Sequence, residues 1–325
     1  MRIRSTAARL ALVAGLALTL AGCSKLNEVR AVKAFKDGNK MYKANDWRAA
    51  AAKYEEVLRL DPDGSVDTCG DSPGCVYFYL ANSYDNLYRP TRKGQPENDQ
   101  LLEKAFNNYK LATEKISNNA KMKQLSLQYL VATLQNPEKL NDPTQAEPIL
   151  QQMIQLDPSD TANYFQLARL YEDSGEYELA EQTFLKAREV RPNDPAVYMQ
   201  LVAYYGRQGD YPKTIEALQR RIQIEPNNPE AYYTAATVYW DVANRDFRLS
   251  DAQKRDYINS GLQAVDRALQ IKDDYVDAYV YKGLLLRLQA LVEKDPKKQQ
   301  ELLREADALQ KKATDMRKKA AAGAD

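Results

Sequence analysis

The chain has 325 residues, of which 44% are hydrophobic and 28% charged, and this balance excludes both a disordered tail and a multi-span membrane protein. Its 46 Lys and Arg against 45 Asp and Glu leave a formal net charge of +1, so there is no extended positive field for nucleic acid. It contains no His, which excludes Ser-His-Asp triads and His-based metal sites and removes the commonest general base at neutral pH.

The amino terminus has the pattern of a processing signal. Three arginines precede an apolar run at residues 10–20, which is too short to span a bilayer as a stable helix. The run ends in Leu-Ala-Gly-Cys at residues 20–23, which resembles the lipobox of bacterial lipoproteins. The resemblance implies that a signal peptide, 1–22, is removed and that Cys23 is acylated, with palmitate among its chains. Residues 23–30 would then form a short lipidated tether.

The residue after the lipobox cysteine bears on localisation. Position 24 is Ser rather than Asp, and in this family an Asp there favours retention in the inner membrane. The resemblance therefore implies a chain that is exported and anchored to the cell envelope, at the outer membrane and facing the periplasm. Several acyl chains on one residue hold a protein on a membrane durably.

Two further cysteines, Cys69 and Cys75, would lie in an oxidising compartment, and we predict a disulfide between them. The preceding stretch, Asp61–Asp67, faintly suggests a calcium loop. It departs from that pattern because its Gly is fourth rather than sixth and no Glu closes the loop. We therefore predict no metal site.

A period of 34 residues runs through the middle of the chain. Pro158, Pro192 and Pro226 lie 34 residues apart. The same interval separates two columns of tyrosines, which are Tyr164, Tyr198 and Tyr232, and Tyr171, Tyr205 and Tyr239. Apolar residues three and four apart between these columns predict helices with one apolar face. Such units cannot bury that face alone and must stack on their neighbours.

These columns resemble the tetratricopeptide repeat, and residues 161–194 match its pattern at nearly every position. The resemblance implies an all-α fold, a right-handed superhelical solenoid of about six to seven helix-turn-helix repeats, several with insertions between their helices. A polar tail would follow at 314–325. The repeats are expected near 31–64, 74–118, 119–160, 161–194, 195–228, 229–274 and 275–313.

In this family the first helix of each pair lines a concave groove that binds peptides or helices. On the family template, the groove candidates are Phe35, Asn39, Tyr42, Phe78, Asn82, Phe165, Arg169, Met199, Arg207, Tyr233 and Trp240. One subfamily clamps a terminal carboxylate with a lysine, but apolar residues stand at that position in this chain. We therefore expect an aromatic-anchored groove. The alternative is that these aromatic residues belong to the core, since helical spacing predicts both.

No catalytic or cofactor motif is present, neither a phosphate-binding glycine loop nor a nucleophile elbow. We predict a non-catalytic adaptor without a cofactor that binds other envelope proteins, in pilus or secretion-pore assembly or in outer-membrane assembly. The alternative is a cell-wall glycan-binding protein or enzyme that acts through inserted segments, Arg89–Gln100 and Asn244–Asp256. The sequence leaves open the partner and the oligomeric state.

Overall fold

A computed structural model describes residues 25–66, 69 and 72–322 of the chain. Within these ranges there are fourteen α-helices and no β-strand, which confirms the predicted all-α class. None of the described helices is both long enough and apolar enough to cross a bilayer. The predicted signal peptide 1–22 and the predicted lipidation residue Cys23 lie outside the described residues.

The chain divides into two compact units, residues 1–170 and residues 171–325. In the first unit, consecutive helices form antiparallel pairs. Its helices are α1 (25–43), α2 (Trp47–Leu60), α3 (Cys75–Leu87), α4 (Pro96–Lys115), α5 (Ala120–Gln135), α6 (Ala146–Leu156) and most of α7 (Thr161–Asp173). Short 3-10 turns at Pro90–Arg92 and Pro143–Gln145 precede α4 and α6.

The second unit contains the end of α7 and seven further helices. These are α8 (Tyr177–Val190), α9 (Pro195–Gln208), α10 (Tyr211–Ile224), α11 (Pro229–Arg245), α12 (Asp251–Ile271), α13 (Val276–Val292) and α14 (Pro296–Ala322). Here too each helix packs against the next along the chain.

Local chemistry explains where the helices begin. The carboxylate of Asp194 accepts a hydrogen bond from Ala196 N at 2.9 Å, and the amide oxygen of Asn228 accepts one from Glu230 N at 3.0 Å. Each cap is followed by a proline at the first helical position, where the missing N–H costs nothing. The Asn-Asp-Pro and Asn-Asn-Pro sequences therefore end one repeat and start the next.

The repeating tyrosines and prolines are joined by hydrogen bonds. The hydroxyl of Tyr198 donates to the carbonyl of Pro192, six residues earlier, at 2.8 Å. Tyr164 and Tyr232 make the same bond to Pro158 and Pro226, both at 3.1 Å. Each tyrosine thus ties the start of a helix to the turn before it, which is why the two columns share one period.

Most of the inserted residues belong to helices rather than to loops. Helix α4 has 20 residues and α12 has 21, whereas α8 and α10 have 14 each. Of the predicted inserted segments, 89–100 is shared between a short turn and α4, and 244–256 between α11, a turn and α12. The long free loops on which the glycan or enzyme alternative depended are therefore short turns in the structure.

Two predicted boundary segments are also largely helical. Residues 25–30 of the predicted tether 23–30 belong to α1, and residues 314–322 of the predicted tail 314–325 belong to α14. Neither stretch of helix contains a proline or glycine. Without a residue that breaks the hydrogen-bond ladder, each helix continues beyond the repeat pattern.

Two glycines inside helices differ in what surrounds them. A Cβ atom at Gly261 in α12 would lie 2.8 Å from Cδ2 of the buried Leu285, whereas one at Gly206 in α9 would meet nothing within 4 Å. We expect Gly261→Ala to lower the free energy of unfolding by about 1–3 kcal/mol through overpacking. Gly206→Ala should raise it by about 0.5–1 kcal/mol, because alanine favours helix. Urea unfolding followed by circular dichroism measures the free energy of unfolding of both variants. A change of the same sign in the two variants would contradict the packing described here.

Candidate functional site

The first unit contains a continuous set of aromatic side chains contributed by α1 to α5, which we call the first aromatic cluster. Neighbouring ring centroids lie 5.2–6.5 Å apart, mostly in tilted or edge-to-face arrangements. Its members are Phe35, Tyr42, Tyr54, Phe78, Tyr79, Tyr109 and Tyr129. Three of the predicted groove residues, Phe35, Tyr42 and Phe78, therefore meet in one cluster.

Amide side chains join the hydroxyls of this cluster. Tyr42 donates to Asn82 Oδ1 at 2.6 Å, and Asn82 Nδ2 donates to the hydroxyl of Tyr109 at 3.1 Å. Tyr54 donates to Asn39 Oδ1 at 2.8 Å. Asn82 is only 5% exposed, so its amide links two tyrosines from different repeats instead of facing solvent. Asn82, one of the predicted groove candidates, is therefore a buried link within the protein.

The buried hydroxyls remain protonated over the physiological range. Burial, with smaller effects from Tyr129 and Tyr79, raises the pKa of Tyr42 to about 12. Burial and then the charge of Asp85 raise the pKa of Tyr109 above its usual range. These tyrosines therefore act as hydrogen-bond donors and acceptors and not as nucleophiles.

One edge of the first aromatic cluster is accessible. Tyr129 is 37% exposed, and Tyr42 and Tyr79 are half-buried, whereas Phe35 and Phe78 are 6% and 4% exposed. The two phenylalanines are thus core residues that support the accessible tyrosines. A ligand on this surface would meet tyrosine rings and hydroxyls first.

A turn from the third repeat closes one side of this cluster. Lys139 Nζ lies 2.6 Å from Oδ1 of Asp85, whose side chain is 9% exposed. The turn is fixed because the hydroxyl of Tyr88 donates to Glu138 O at 2.8 Å and Lys93 Nζ donates to Pro137 O at 3.1 Å. Asp85 is therefore neutralised within the protein.

The raised tyrosine pKa values predict a loss of stability in alkaline solution. An unfolded tyrosine loses its proton near pH 10, whereas the folded chain holds it to higher pH. The folded state then binds more protons, so the free energy of unfolding falls as pH rises from about 10 to about 12. The tyrosines concerned are Tyr42, Tyr54, Tyr84, Tyr109, Tyr205 and Tyr233.

Thermal unfolding by circular dichroism between pH 8 and pH 12 measures this effect. Below pH 10, tyrosine titration should not change the melting temperature. Above pH 10, the slope of melting temperature against pH should be steeply negative. Tyr42→Phe should make that slope shallower, because one titrating group is removed. An unchanged slope would contradict the assignment for Tyr42.

The second unit contains a smaller set of rings on α11 and α13, which we call the second aromatic cluster. Its members are Tyr233, Trp240, Tyr275 and Tyr281. The ring of Tyr281 stands at 89° to Tyr233 and 88° to Trp240, with centroids 5.4 and 5.8 Å apart. All four side chains are half-buried, so the cluster presents an aromatic surface to solvent.

Sequence reasoning found only half of the second aromatic cluster. Tyr233 and Trp240 were predicted because both stand at groove positions of the family template. Tyr275 and Tyr281 were missed, since neither stands in a repeating tyrosine column. Burial, followed by the neighbouring Tyr281 and Asp277, raises the pKa of Tyr233 to about 12.

The remaining groove candidates do not join either cluster. Arg207 makes a two-pronged ion pair with Glu172, with both N–O distances at 2.7 Å. Met199 Sδ lies 2.6 Å from a guanidinium nitrogen of Arg221, a residue that is 5% exposed. On α7, Phe165 is half-buried and Arg169 is exposed.

The predicted cysteine pair is joined in the structure. Cys69 and Cys75 form a disulfide with a Cα–Cα distance of 5.9 Å. In the stretch weighed as a calcium loop, Asp61 instead accepts hydrogen bonds from Ser65 and from Val66 N, both at 2.8 Å. Within the described residues, no group of three or more His, Cys, Asp or Glu is placed to hold a metal ion.

Comparison with known proteins was made by sequence and by structure. The sequence profile of the Tetratricopeptide repeat family matches residues 139–203. No curated protein matches the chain.

Among solved structures, the C-terminal part of a TPR repeat-containing protein from Cytophaga hutchinsonii is 17% identical, with 87% of this chain and 98% of that chain covered and a TM-score of 0.55. A tetratricopeptide repeat protein from Parabacteroides merdae is 14% identical over 85% of this chain and 98% of its own, with a TM-score of 0.44. YrrB, described as a TPR protein with an unusual peptide-binding site, is 20% identical over 63% of this chain and 91% of its own, with a TM-score of 0.42.

The first of these likenesses supports the fold. Together with the family match and the paired helices, it confirms the resemblance seen in the repeating columns. The chain is an all-α protein with a helical-repeat fold, and its residues 139–203 match the tetratricopeptide repeat family.

Proposed function

We propose that this protein is a non-catalytic scaffold, anchored to a membrane, that binds peptide segments or helices of other envelope proteins. The observation that carries the proposal is the pair of accessible aromatic clusters, one in each unit. Their accessible rings lie on helices that come first in their repeats, where the family places its ligands. These rings are Tyr42, Tyr79 and Tyr129 in the first cluster and Tyr233, Trp240 and Tyr281 in the second. Pilus, secretion-pore or outer-membrane assembly are the processes that such a scaffold would serve.

The chemistry of the clusters suits a protein ligand. Half-buried tyrosine and tryptophan rings offer large apolar area at a low cost in side-chain entropy, and such residues dominate binding at protein interfaces. The half-buried rings of Tyr42 and Tyr79 belong, with the accessible Tyr129, to the first aromatic cluster, and the hydroxyl of Tyr42 is bound to the buried Asn82. These rings can contact the side chains of a bound peptide.

The anchor is the second part of the proposal. Residue 25, two positions after Cys23 in the sequence, already belongs to the first helix. Acyl chains on Cys23 would therefore hold the first repeat close to the membrane surface, on the periplasmic side of the outer membrane. The two most exposed apolar side chains of α1, Leu26 and Val29, are 51% and 67% exposed and belong to the part of the helix nearest that anchor.

Site-specific photo-crosslinking tests the binding surface. Benzoylphenylalanine in place of Tyr129 or of Trp240 should crosslink to discrete envelope proteins in intact cells, identified by mass spectrometry. The control is the same probe in place of Tyr177, which is 49% exposed but lies on α8, the second helix of its repeat. Equal crosslinking from all three positions, or none to any protein, would overturn the proposal.

The anchor is tested separately. A palmitate analogue should label the wild-type chain, and Cys23→Ala should abolish both the label and recovery in the membrane fraction. Cys69→Ala with Cys75→Ala serves as the matched control, since these two cysteines are paired in the structure and should leave the label unchanged. Labelling that survives Cys23→Ala would refute lipidation at this residue.

A further inference from the structure

A turn that the shorter repeats lack borders a pocket in the first unit. Eight residues, 88–95, separate α3 from α4, whereas two residues, 209–210, separate α9 from α10. The extra residues are therefore not needed to join a helix pair. They contribute Arg89, Arg92 and Gln95 to the wall of a pocket with a volume of about 400 Å³.

Three guanidinium groups line this pocket, which we call the arginine pocket. Arg48 comes from the start of α2, and Arg89 and Arg92 come from the turn before α4. Leu87 and Leu101 add apolar surface to the same lining. Among the residues that the structure describes, the side chains of Arg48 and Arg92 have no hydrogen-bond or ion-pair partner. Their charges are therefore available to a ligand.

The turn before α4 is fixed by side-chain hydrogen bonds. The amide of Asn98, which is 5% exposed, accepts from Arg89 N at 2.9 Å and donates to Arg89 O at 3.1 Å. Arg89 Nη1 donates to the carbonyl of Asn86 at 2.8 Å, which leaves its charge unpaired. The carboxylate of Asp99 accepts from Gly94 N at 3.0 Å. Because the backbone of this wall is ordered before a ligand arrives, binding costs less entropy.

The charges at the arginine pocket favour a ligand with two negative charges. Two carboxylates, Glu55 and Glu97, share the lining with the three arginines. Glu55 accepts a hydrogen bond from the hydroxyl of Tyr84, and Lys104 Nζ lies 5.1 Å from the centre of that ring. Four cations therefore stand against two anions. A phosphate monoester carries a charge of about −1.5 to −2 at pH 7, which matches this excess better than a single carboxylate does.

We propose that the arginine pocket binds a phosphate monoester. The planar guanidinium groups of Arg48, Arg89 and Arg92 donate paired hydrogen bonds to the phosphate oxygens, a geometry that arginine provides and lysine does not. Leu87 and Leu101 contact the group to which the phosphate is esterified. No lining residue belongs to the first aromatic cluster, so this inference does not depend on the proposed scaffold function.

Isothermal titration calorimetry of the full chain in a nonionic detergent tests the pocket with two probes. Glycerol 3-phosphate is a soluble phosphate monoester, and dihexanoyl phosphatidic acid carries the same group on a lipid. We expect saturable binding at one site per chain, weaker at higher salt. Similar affinities would assign the site to the phosphate group itself, and binding of the lipid probe alone would assign it to a lipid headgroup. Failure of both probes to bind would overturn the proposal.

A third lipid controls for uptake into detergent micelles. Dihexanoyl phosphatidylcholine has the same acyl chains, but its phosphate is a diester and its headgroup has no net charge. It should show no saturable binding. Saturation by this lipid with the affinity of phosphatidic acid would mean that the acyl chains and not the phosphate are recognised, which would also overturn the proposal.

Substitutions within the pocket give the decisive measurement. Arg48→Gln and Arg92→Gln should each weaken binding about tenfold or more, because each removes a charge-assisted hydrogen bond. Both side chains are exposed, so thermal unfolding should stay at the wild-type temperature. Glu97→Gln should tighten binding about two- to fivefold, since it removes a negative charge from the lining.

Arg59→Gln is the matched control. Arg59 is exposed on the same helix as Arg48 but does not line the pocket, so this variant should bind as the wild type does. Wild-type affinity in Arg48→Gln and Arg92→Gln would overturn the proposal. So would an equal loss in Arg59→Gln, which would reflect the net charge of the chain and not a site.

Discussion

Replacing Tyr109 by alanine is expected to lower the free energy of unfolding by about 3–5 kcal/mol, the range for truncation of a buried aromatic side chain. Tyr109 is 0% exposed, and its ring centroid lies 5.9 Å from that of Phe78 and 5.6 Å from that of Tyr129. The change leaves a cavity at the centre of the first aromatic cluster and removes the hydrogen-bond partner of Asn82. Urea unfolding followed by circular dichroism measures the loss.

Tyr109→Phe separates packing from hydrogen bonding. The ring stays, and only the hydroxyl that bonds Asn82 Nδ2 is lost, leaving a buried donor without its partner. The expected cost is about 1–3 kcal/mol. If the phenylalanine variant were as unstable as the alanine variant, the hydrogen bond and not the ring would be the main contribution of Tyr109.

The same pair of variants connects the core to the binding surface. Asn82 holds the hydroxyl of Tyr42, so loss of Tyr109 should loosen a tyrosine at the accessible edge. Hydrogen exchange should rise in α3, α4 and α5 more in Tyr109→Ala than in Tyr109→Phe. Crosslinking from position 129 should fall in the same order. A fall in crosslinking without increased exchange would mean that Tyr109 affects the ligand by another route.

The second large effect is expected at Gly74, which precedes α3. Gly74 has a φ of 89°, and a Cβ atom there would lie 2.8 Å from the backbone carbon of Lys115. Alanine must therefore adopt a left-handed conformation, at about 1–2 kcal/mol, and also push apart two backbone segments, at about 1–3 kcal/mol. We expect Gly74→Ala to lower the free energy of unfolding by about 2–5 kcal/mol, the sum of the two costs.

Gly94 provides the matched control for this prediction. Its φ is 93°, close to that of Gly74, but a Cβ atom there would meet nothing within 4 Å. Gly94→Ala should therefore cost only the conformational part, about 1–2 kcal/mol. The difference between the free energies lost in the two variants measures the cost of the close contact between the residue before α3 and the end of α4. Equal costs would mean that this approach is not tight in solution.

The repeats were predictable because their signals are local. A proline that starts a helix, the capping residue before it and the tyrosine that bonds the preceding turn all act within six residues. Each of them therefore appears in the sequence at a fixed spacing, and 34-residue columns such as Pro192 and Tyr198 report them directly. The predicted inserted segments 89–100 and 244–256 are partly helical, because a helix continues wherever no breaking residue interrupts it.

The contacts that build the aromatic clusters are not local in this sense. Tyr42 and Asn82 are 40 residues apart, and Lys139 and Asp85 are 54 apart. Their meeting depends on how successive helix pairs stack and on the path of the turn at 136–142. The family template placed Asn82 at a ligand-facing position, but the stacking turned its amide towards two tyrosines and left it 5% exposed.

The amino-acid sequence by itself determined the helices, their pairing and the repeat that stacks them, since hydrophobic period, caps and turn residues act along a few residues of chain. Only the tertiary structure decided which aromatic side chains are supports, such as Phe35 and Phe78, and which are accessible, such as Tyr129 and Tyr281. The reason is that exposure is set by neighbours from other repeats, and a helical period of apolar residues is the same for a core face as for a binding face.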